Sequence, residues 1–264
     1  MTTEPTTIER RIWIPAKFLD WNYETYSTQP LNPAALDRAY LIWEHANDRL
    51  DAPCTEFDRV DVITTLKRAV TQRVGALKKA YGFHQFSIRN KPKRDLDLLH
   101  RLGLIRPVML RSLIEIRNTL EHEDAAPPDY EACRTLVEFV WYFLKSTDPL
   151  LRGRLSEVSY LESLSHSGVE DTEKAYYGTV YYRHPDEGPP IVRMRLPKLA
   201  IRDAGDERGC LEVLETEMRG DVQGSENLTV VEGVIVGPDD MVEHLWLSYF
   251  KGPPHVWVSS DNVP

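Results

Sequence analysis

Apolar residues recur every three or four positions through the first half of the chain, which is the spacing that one face of an α-helix requires. The second of these segments opens with Thr55 and, three residues later, Asp58, the arrangement of a capping box at a helix start. Gly103 follows the third segment, and a pair of prolines prevents the fourth from continuing. Short connections then indicate one helical bundle. The pattern predicts helices over residues 32–50, 55–81, 95–102, 107–122 and 129–146, within a bundle over 32–148.

The hydrophobic period changes to two in the second half of the chain, where β-branched and aromatic residues form short segments separated by Gly, Pro and Asp. These segments predict a small antiparallel β domain over 173–264, either a barrel or a two-layer sheet, after a linker over 149–172. Residues 1–31 are predicted to be an N-terminal arm, extended or with a short strand. The expected fold class is α+β, a helical bundle followed by the β domain. The predicted strand segments are AYYGTVYYRH, PIVRMRLPKLAI, CLEVLETEMRG, LTVVEGVIVG, EHLWLSYF and HVWVSS.

Composition places the chain among ordinary globular proteins. Of its 264 residues, 42% are hydrophobic and 28% are charged, so a packed core is expected and a disordered chain is excluded. No apolar run reaches the roughly 18 residues of a membrane span, and the first residues lack the pattern of a signal peptide. We therefore expect a cytoplasmic protein with no membrane partner. Three cysteines far apart in the sequence fit a reducing compartment.

Positive charge is concentrated in one part of an acidic chain. The net charge is −9, yet residues 67–111 contain twelve Lys and Arg against two Asp. Such segregation is typical of a local site for a polyanion, although a solvated helix face has the same composition. Nine of these residues are predicted to bind RNA: Lys67, Arg68, Lys78, Lys79, Arg89, Lys91, Lys93, Arg94 and Arg111.

A compact polar motif ends the fourth predicted helix. It reads RNTLEH and contains Arg117, Asn118, Glu121 and His122. An Arg followed directly by Asn, with His five residues after the Arg, is expected about 0.02 times by chance in a chain of this composition. The motif and the predicted helical order of residues 32–148 resemble the HEPN family. Proteins of that family are helical bundles marked by an Arg and a His a few residues later, commonly with a polar residue such as Asn after the Arg.

The resemblance implies a metal-independent endoribonuclease in which the ribose 2′-hydroxyl attacks the adjacent phosphorus. Histidine titrates near neutral pH, so His122 is the candidate for proton transfer, and Arg117 offers a planar cation to phosphate oxygens. Spacing alone indicates that Asn118 orients the imidazole or a phosphate, and that Glu121 pairs with Arg117 or adjusts the pKa of His122. The chain lacks metal-ligand spacings, GxSxG, P-loop and GxGxxG motifs, so we expect no metal and no cofactor.

A single helix does not bring Arg117 and His122 together, because side chains five residues apart project from the helix in directions about 140° apart. HEPN ribonucleases join two motifs across a dimer interface, so the resemblance implies a homodimer. Such nucleases act as toxins, host-defence effectors or RNA-processing factors. The alternatives are a catalytically silent HEPN-like module, such as an antitoxin or regulatory subunit, that binds nucleic acid or protein, and a purely structural dimer. The β domain is expected to bind a protein partner or a small-molecule regulator.

Overall fold

The computed structural model describes residues 10–31, 34–52, 54–123, 125–161, 177–203, 208–216, 220–222 and 225–251. Their contacts divide them into two compact units. The helical unit comprises the described residues of 29–84 and 92–154, and the sheet unit comprises those of 1–28, 85–91 and 155–264. Six α-helices and eight strands occur among these residues, so the prediction of a mixed α and β chain is confirmed.

Five helices make up the helical unit. α1 packs against α2 and α5, while α2 also packs against α4 and α5. Fully buried apolar side chains on these helices form the core, among them Leu50, Leu66 and Leu144. The helices are α1 (Ala34–Asp51), α2 (Glu56–Tyr81), α3 (Asp95–Arg101), α4 (Val108–Glu123) and α5 (Tyr130–Arg152).

Local signals at both ends of α2 explain its length. The Thr55 side chain accepts a hydrogen bond from the Asp58 N–H at 3.3 Å, and the Asp58 carboxylate accepts one from the Thr55 N–H at 2.8 Å. The predicted capping box is therefore confirmed. At the other end Gly82 adopts a left-handed conformation with φ 60° and donates its N–H to the Lys78 carbonyl. Glycine tolerates this conformation, so the helix stops there.

The last helix of the helical unit is longer than predicted. The sequence predicts its end at residue 146, whereas α5 continues to Arg152 with Pro149 inside it. Proline removes one backbone N–H and normally ends a helix. Here Thr147, Asp148 and Leu151 on the added turn are buried, and this packing stabilises the helix past the proline.

One eight-stranded sheet forms the core of the sheet unit. Its order is β1-β6-β8-β5-β4-β3-β2, and β7 pairs with β8. β1 pairs with β6, and β5, β6 and β7 each pair with β8. β4 pairs with both β3 and β5. All of these pairings are antiparallel. The strands are β1 (Arg10–Pro15), β2 (Asn22–Pro30), β3 (Gly153–Leu161), β4 (Tyr177–Tyr181), β5 (Ile191–Pro197), β6 (Cys210–Glu215), β7 (Gly220–Val222) and β8 (Ser225–Gly237).

Three strands come from outside the predicted β domain. The segment predicted as an N-terminal arm supplies β1 and β2. In β1, Ile12 and Ile14 are fully buried in the sheet and alternate with the more exposed Arg11, Trp13 and Pro15. Within the predicted linker over 149–172, residues 153–161 form β3. Residues 162–176 lie outside the described residues.

The segment EHLWLSYF is a helix, so its prediction as a strand is wrong. It belongs to α6 (Asp239–Lys251), which packs against β8 and β6. Its buried residues Val242, Leu245, Trp246 and Tyr249 follow a spacing of three and four, which is helical. Their aromatic content favours strands by propensity, but tertiary packing overrides that weak preference. The predicted strand HVWVSS, residues 255–260, lies outside the described residues.

Candidate nucleic-acid interface

The RNTLEH motif occupies the last two turns of α4. Leu110 and Leu113 are buried earlier on the same helix, which packs against α2 and α5. Arg117 forms an ion pair with Glu121 one turn later, and its Nη1 donates a hydrogen bond to Asn118 Oδ1 at 3.2 Å. Glu121 thus takes one of the two roles expected for it, the pairing with Arg117.

Arg117 and His122 leave α4 in different directions. The Arg117 side chain is 25% exposed, and its Nε is buried without a hydrogen-bond partner among the described residues. His122 is exposed in the final turn. Because five residues separate them, the two side chains stand about 140° apart around the helix. One α4 helix therefore presents the cation and the imidazole on separate faces.

A cleft of about 840 Å³ lies beside the motif, between α2, the segment 93–97 and α4. Its lining residues recur at spacings of three, four and seven along each helix, so one face of α2 and one face of α4 form its walls. The segment before and at the start of α3 adds Lys93, Arg94, Asp95, Leu96 and Asp97. The walls are Val70, Thr71, Val74, Gly75 and Lys78 from α2, and Arg111, Ile114, Glu115 and Asn118 from α4.

The face of α4 that lines the cleft ends at His122. Arg111 and Asn118 both line the cleft and are seven residues apart, which is nearly two helical turns. His122 follows Asn118 by four residues, so the two share a face of the helix. The exposed imidazole is therefore on the helix face that the cleft-lining residues occupy, one turn beyond them.

Ion pairs neutralise part of the positive charge in the cleft. Lys78 Nζ lies 3.0 Å from Asp95 Oδ2, and Arg111 Nη2 lies 2.6 Å from Asp97 Oδ1. In the part of the chain that the structure describes, the exposed side chains of Lys93 and Arg94 form no ion pair. Four of the nine predicted RNA-binding residues are thus brought together, and two of the four keep an unneutralised charge.

The remaining predicted RNA-binding residues of α2 lie elsewhere. Arg68 lines a separate cavity of about 380 Å³ together with His45 and Arg49. Lys67 and Lys79 line neither of these two cavities within the described residues. The basic window along the sequence is therefore several separate surfaces in three dimensions.

Arg89 and Lys91 belong to the sheet unit. Lys91 Nζ donates a hydrogen bond to the Phe86 carbonyl at 3.2 Å, and burial lowers the pKa of this lysine. Arg73, which the charge count of residues 67–111 includes, is fully buried and forms an ion pair with Asp148 at 2.7 Å. It contributes no charge to the surface.

Sequence reasoning missed the apolar part of the cleft and its glycine. Val70 and Val74 belong to the apolar spacing of the second predicted helix and are buried, but they also border the cleft with Leu96 and Ile114. A signal was present at Gly75, because a glycine in the middle of a predicted helix destabilises that helix and calls for a reason.

No protein-family model, curated protein or solved structure matches this chain. Among the described residues, no helix is long and apolar enough to cross a bilayer. Within the same residues, no group of three or more His, Cys, Asp and Glu side chains is placed to hold a metal ion. The geometry of α4 and its cleft is consequently the basis for proposing a function.

Proposed function

We propose that this protein is a metal-independent endoribonuclease of the HEPN type, assembled as a homodimer. One observation carries the proposal: the exposed His122 ends the same face of α4 whose earlier residues line a cleft with two unneutralised cations, Lys93 and Arg94. An RNA strand held along that cleft would reach the imidazole without crossing to another face of the helix. The RNTLEH motif and the five helices of the helical unit support the same proposal.

The residues of the motif fit the chemistry of RNA transesterification. The 2′-oxygen forms a bond to phosphorus while the bond from phosphorus to the 5′-oxygen breaks, giving a 2′,3′-cyclic phosphate and a 5′-hydroxyl. One group must take the proton from the 2′-hydroxyl and another must give one to the leaving oxygen. His122 suits either of these two proton transfers. Arg117 suits stabilisation of the charge that develops on the phosphate.

A second subunit would also bring together the Arg117 and His122 side chains, which one α4 helix holds apart. A two-fold axis close to the end of α4 would place Arg117 of one subunit near His122 of the other. Arg117 would then leave its ion pair with Glu121 and bind the phosphate of the RNA instead. The Arg117 and Glu121 side chains are 25% and 37% exposed, and an ion pair that reaches solvent stabilises a protein by about 1 kcal/mol or less, so this exchange costs little.

Cleavage of RNA in the presence of EDTA tests the proposal. The wild-type protein is incubated with mixed cellular RNA beside the Arg117→Ala and His122→Ala variants, and the fragment ends are identified. We expect wild-type fragments that end in cyclic phosphate, and a loss of cleavage of at least about a hundredfold in each variant. His100→Ala removes another exposed histidine of the helical unit and is expected to cut normally. Intact RNA with a confirmed wild-type dimer would contradict the proposal.

Subunit mixing tests the composite site. Neither the Arg117→Ala dimer nor the His122→Ala dimer should cut RNA by itself. When subunits of the two variants are mixed and redistribute at random, half of the dimers carry Arg117→Ala in one subunit and His122→Ala in the other. If each site takes Arg117 from one subunit and His122 from the other, every mixed dimer keeps one intact site. We expect recovery of about one quarter of the wild-type rate. No recovery with mixed dimers confirmed by mass would overturn the shared site.

A second candidate function is an RNA-binding module without catalysis. The observation that favours it is the position of Arg117, whose guanidinium is occupied by Glu121 and Asn118 and is largely covered. Under this alternative the wild-type protein binds RNA with a steep salt dependence, leaves it uncut, and binds equally well after His122→Ala. The same incubation therefore separates the two candidates.

A further inference from the structure

The cleft between α2 and α4 combines an apolar floor with a charged rim. Val70 and Val74 from α2 form the floor with Leu96 and Ile114. Its volume of about 840 Å³ is within the range of cavities that hold small organic ligands. An apolar floor of this kind does not suit a bare phosphate backbone. It suits the flat surface of a nucleobase, whose faces are apolar.

Gly75 keeps this floor open. A Cβ atom built at Gly75 meets no heavy atom within 4 Å, and the residue lies in the interior of α2 with no left-handed φ. Neither close packing nor backbone conformation requires a glycine here, and an interior glycine destabilises a helix. The space that it leaves belongs to the cleft, so its consequence for the molecule is a wider cleft.

The charges around the cleft match one phosphate. Four cations and three acids line it, and two of the cations are paired with Asp95 and Asp97. Lys93 and Arg94 are adjacent in the chain and without ion pairs among the described residues. A duplex offers rows of phosphates and keeps its bases stacked inside, so it would meet the acids and leave the floor empty.

Building on the proposed ribonuclease function, we infer that the cleft takes one unstacked nucleotide of the RNA strand, beside the nucleotide that is cut. Its base lies on the apolar floor, and its phosphate contacts Lys93 and Arg94. Gly75, Lys93 and Arg94 are then positioning residues, and they make the protein select single-stranded RNA at this point. Asn118 links the two places, because it lines the cleft and shares a helix face with His122.

Binding measurements in the His122→Ala background test the inference without cleavage. Fluorescence anisotropy follows a labelled single-stranded oligonucleotide and its perfect duplex. Gly75→Trp fills the cleft and is expected to weaken single-strand binding about tenfold, while Gly75→Ala leaves room for the base and binds as before. Lys93→Gln with Arg94→Gln is expected to reduce the slope of log affinity against log salt by about 0.7, the loss of one phosphate contact. Lys145→Gln changes an exposed lysine of α5 that neither lines the cleft nor belongs to the nine predicted RNA-binding residues, so it is the matched control.

Each outcome decides the inference separately from the proposed function. Equal binding of single strand and duplex, or unchanged binding by a folded Gly75→Trp variant, overturns the cleft assignment. A free mononucleotide that binds as tightly as the strand also overturns it, because the ligand is then a small nucleotide. If Gly75→Trp does not fold, the Lys93 and Arg94 double variant decides alone. Wild-type protein that binds through the cleft but cuts no RNA refutes the nuclease and leaves the cleft assignment standing.

Discussion

Asp148→Asn is expected to reduce the unfolding free energy of the helical unit by about 3–5 kcal/mol, because it leaves a buried cation without its counter-charge. The Arg73 side chain is 0% exposed, and that of Asp148 is 9% exposed. Arg73 Nη1 donates to Asp148 Oδ1 at 2.7 Å and reaches Thr147 Oγ1 at 3.4 Å, whereas its Nε and Nη2 are buried without a hydrogen-bond partner. The carboxylate is therefore the main compensation for burying this guanidinium.

Urea unfolding followed by far-UV circular dichroism measures the loss, with the slope compared between variants to detect a departure from two-state unfolding. Asp97→Asn is a matched control, since Asp97 pairs with Arg111 at 2.6 Å but both side chains are at least one-third exposed. That change is expected to cost about 1 kcal/mol or less. Distance is similar in the two pairs, so the comparison isolates the effect of burial.

A double-mutant cycle completes the test. Arg73→Met alone leaves the Asp148 carboxylate, which still accepts a hydrogen bond from the Tyr40 hydroxyl at 2.8 Å. Combined with Asp148→Asn, it should cost less than the sum of the single changes by roughly 2–3 kcal/mol, because the second change no longer strands a charge. A loss below about 1 kcal/mol for Asp148→Asn, as in an exposed pair, would refute the reasoning.

Three further changes test the close packing at Gly233, the cap of α2 at Thr55 and the pKa of Tyr40. Gly233→Ala should destabilise the sheet unit by at least about 1–3 kcal/mol in thermal or urea unfolding, because a Cβ there lies 2.4 Å from the Leu214 carbonyl oxygen; unchanged stability would contradict this contact. Thr55→Ala removes half of the capping box with Asp58 and should cost about 1 kcal/mol by urea unfolding, and a neutral result would rule out the cap as a stabilising feature. Burial, and then the hydrogen bond to the Asp148 carboxylate, raises the pKa of Tyr40 from 10.0 to about 12. The stability that this shift contributes is complete below pH 10 and falls as the pH rises towards 12. Tyr40→Phe should flatten that fall, and an unchanged pH profile of the unfolding free energy would refute the shift.

The helices of the helical unit could be predicted because their signals are local. Apolar spacing places a stripe on each helix, and the capping box at Thr55 and the glycine at 82 sit at the ends of α2. The sheet was harder, because its strands come from distant parts of the chain. β1 pairs with β6 across about two hundred residues, and nothing near Ile12 in the sequence indicates that partner. The helix α6 was misassigned because its aromatic residues also favour strands.

At the candidate site too, the sequence does not show which charged residues come together in the folded chain. Along the sequence, Arg73 and Arg94 are equivalent members of one basic window. In the structure Arg73 is a buried partner of Asp148, while Arg94 is exposed beside a cleft that α2 and α4 enclose. A count of charges therefore predicts that a polyanion site exists somewhere in residues 67–111, but which cations face it depends on helix packing. The same packing aligns His122 with the cleft and turns Arg117 away, which is why the catalytic proposal requires a second subunit and the cleft assignment does not.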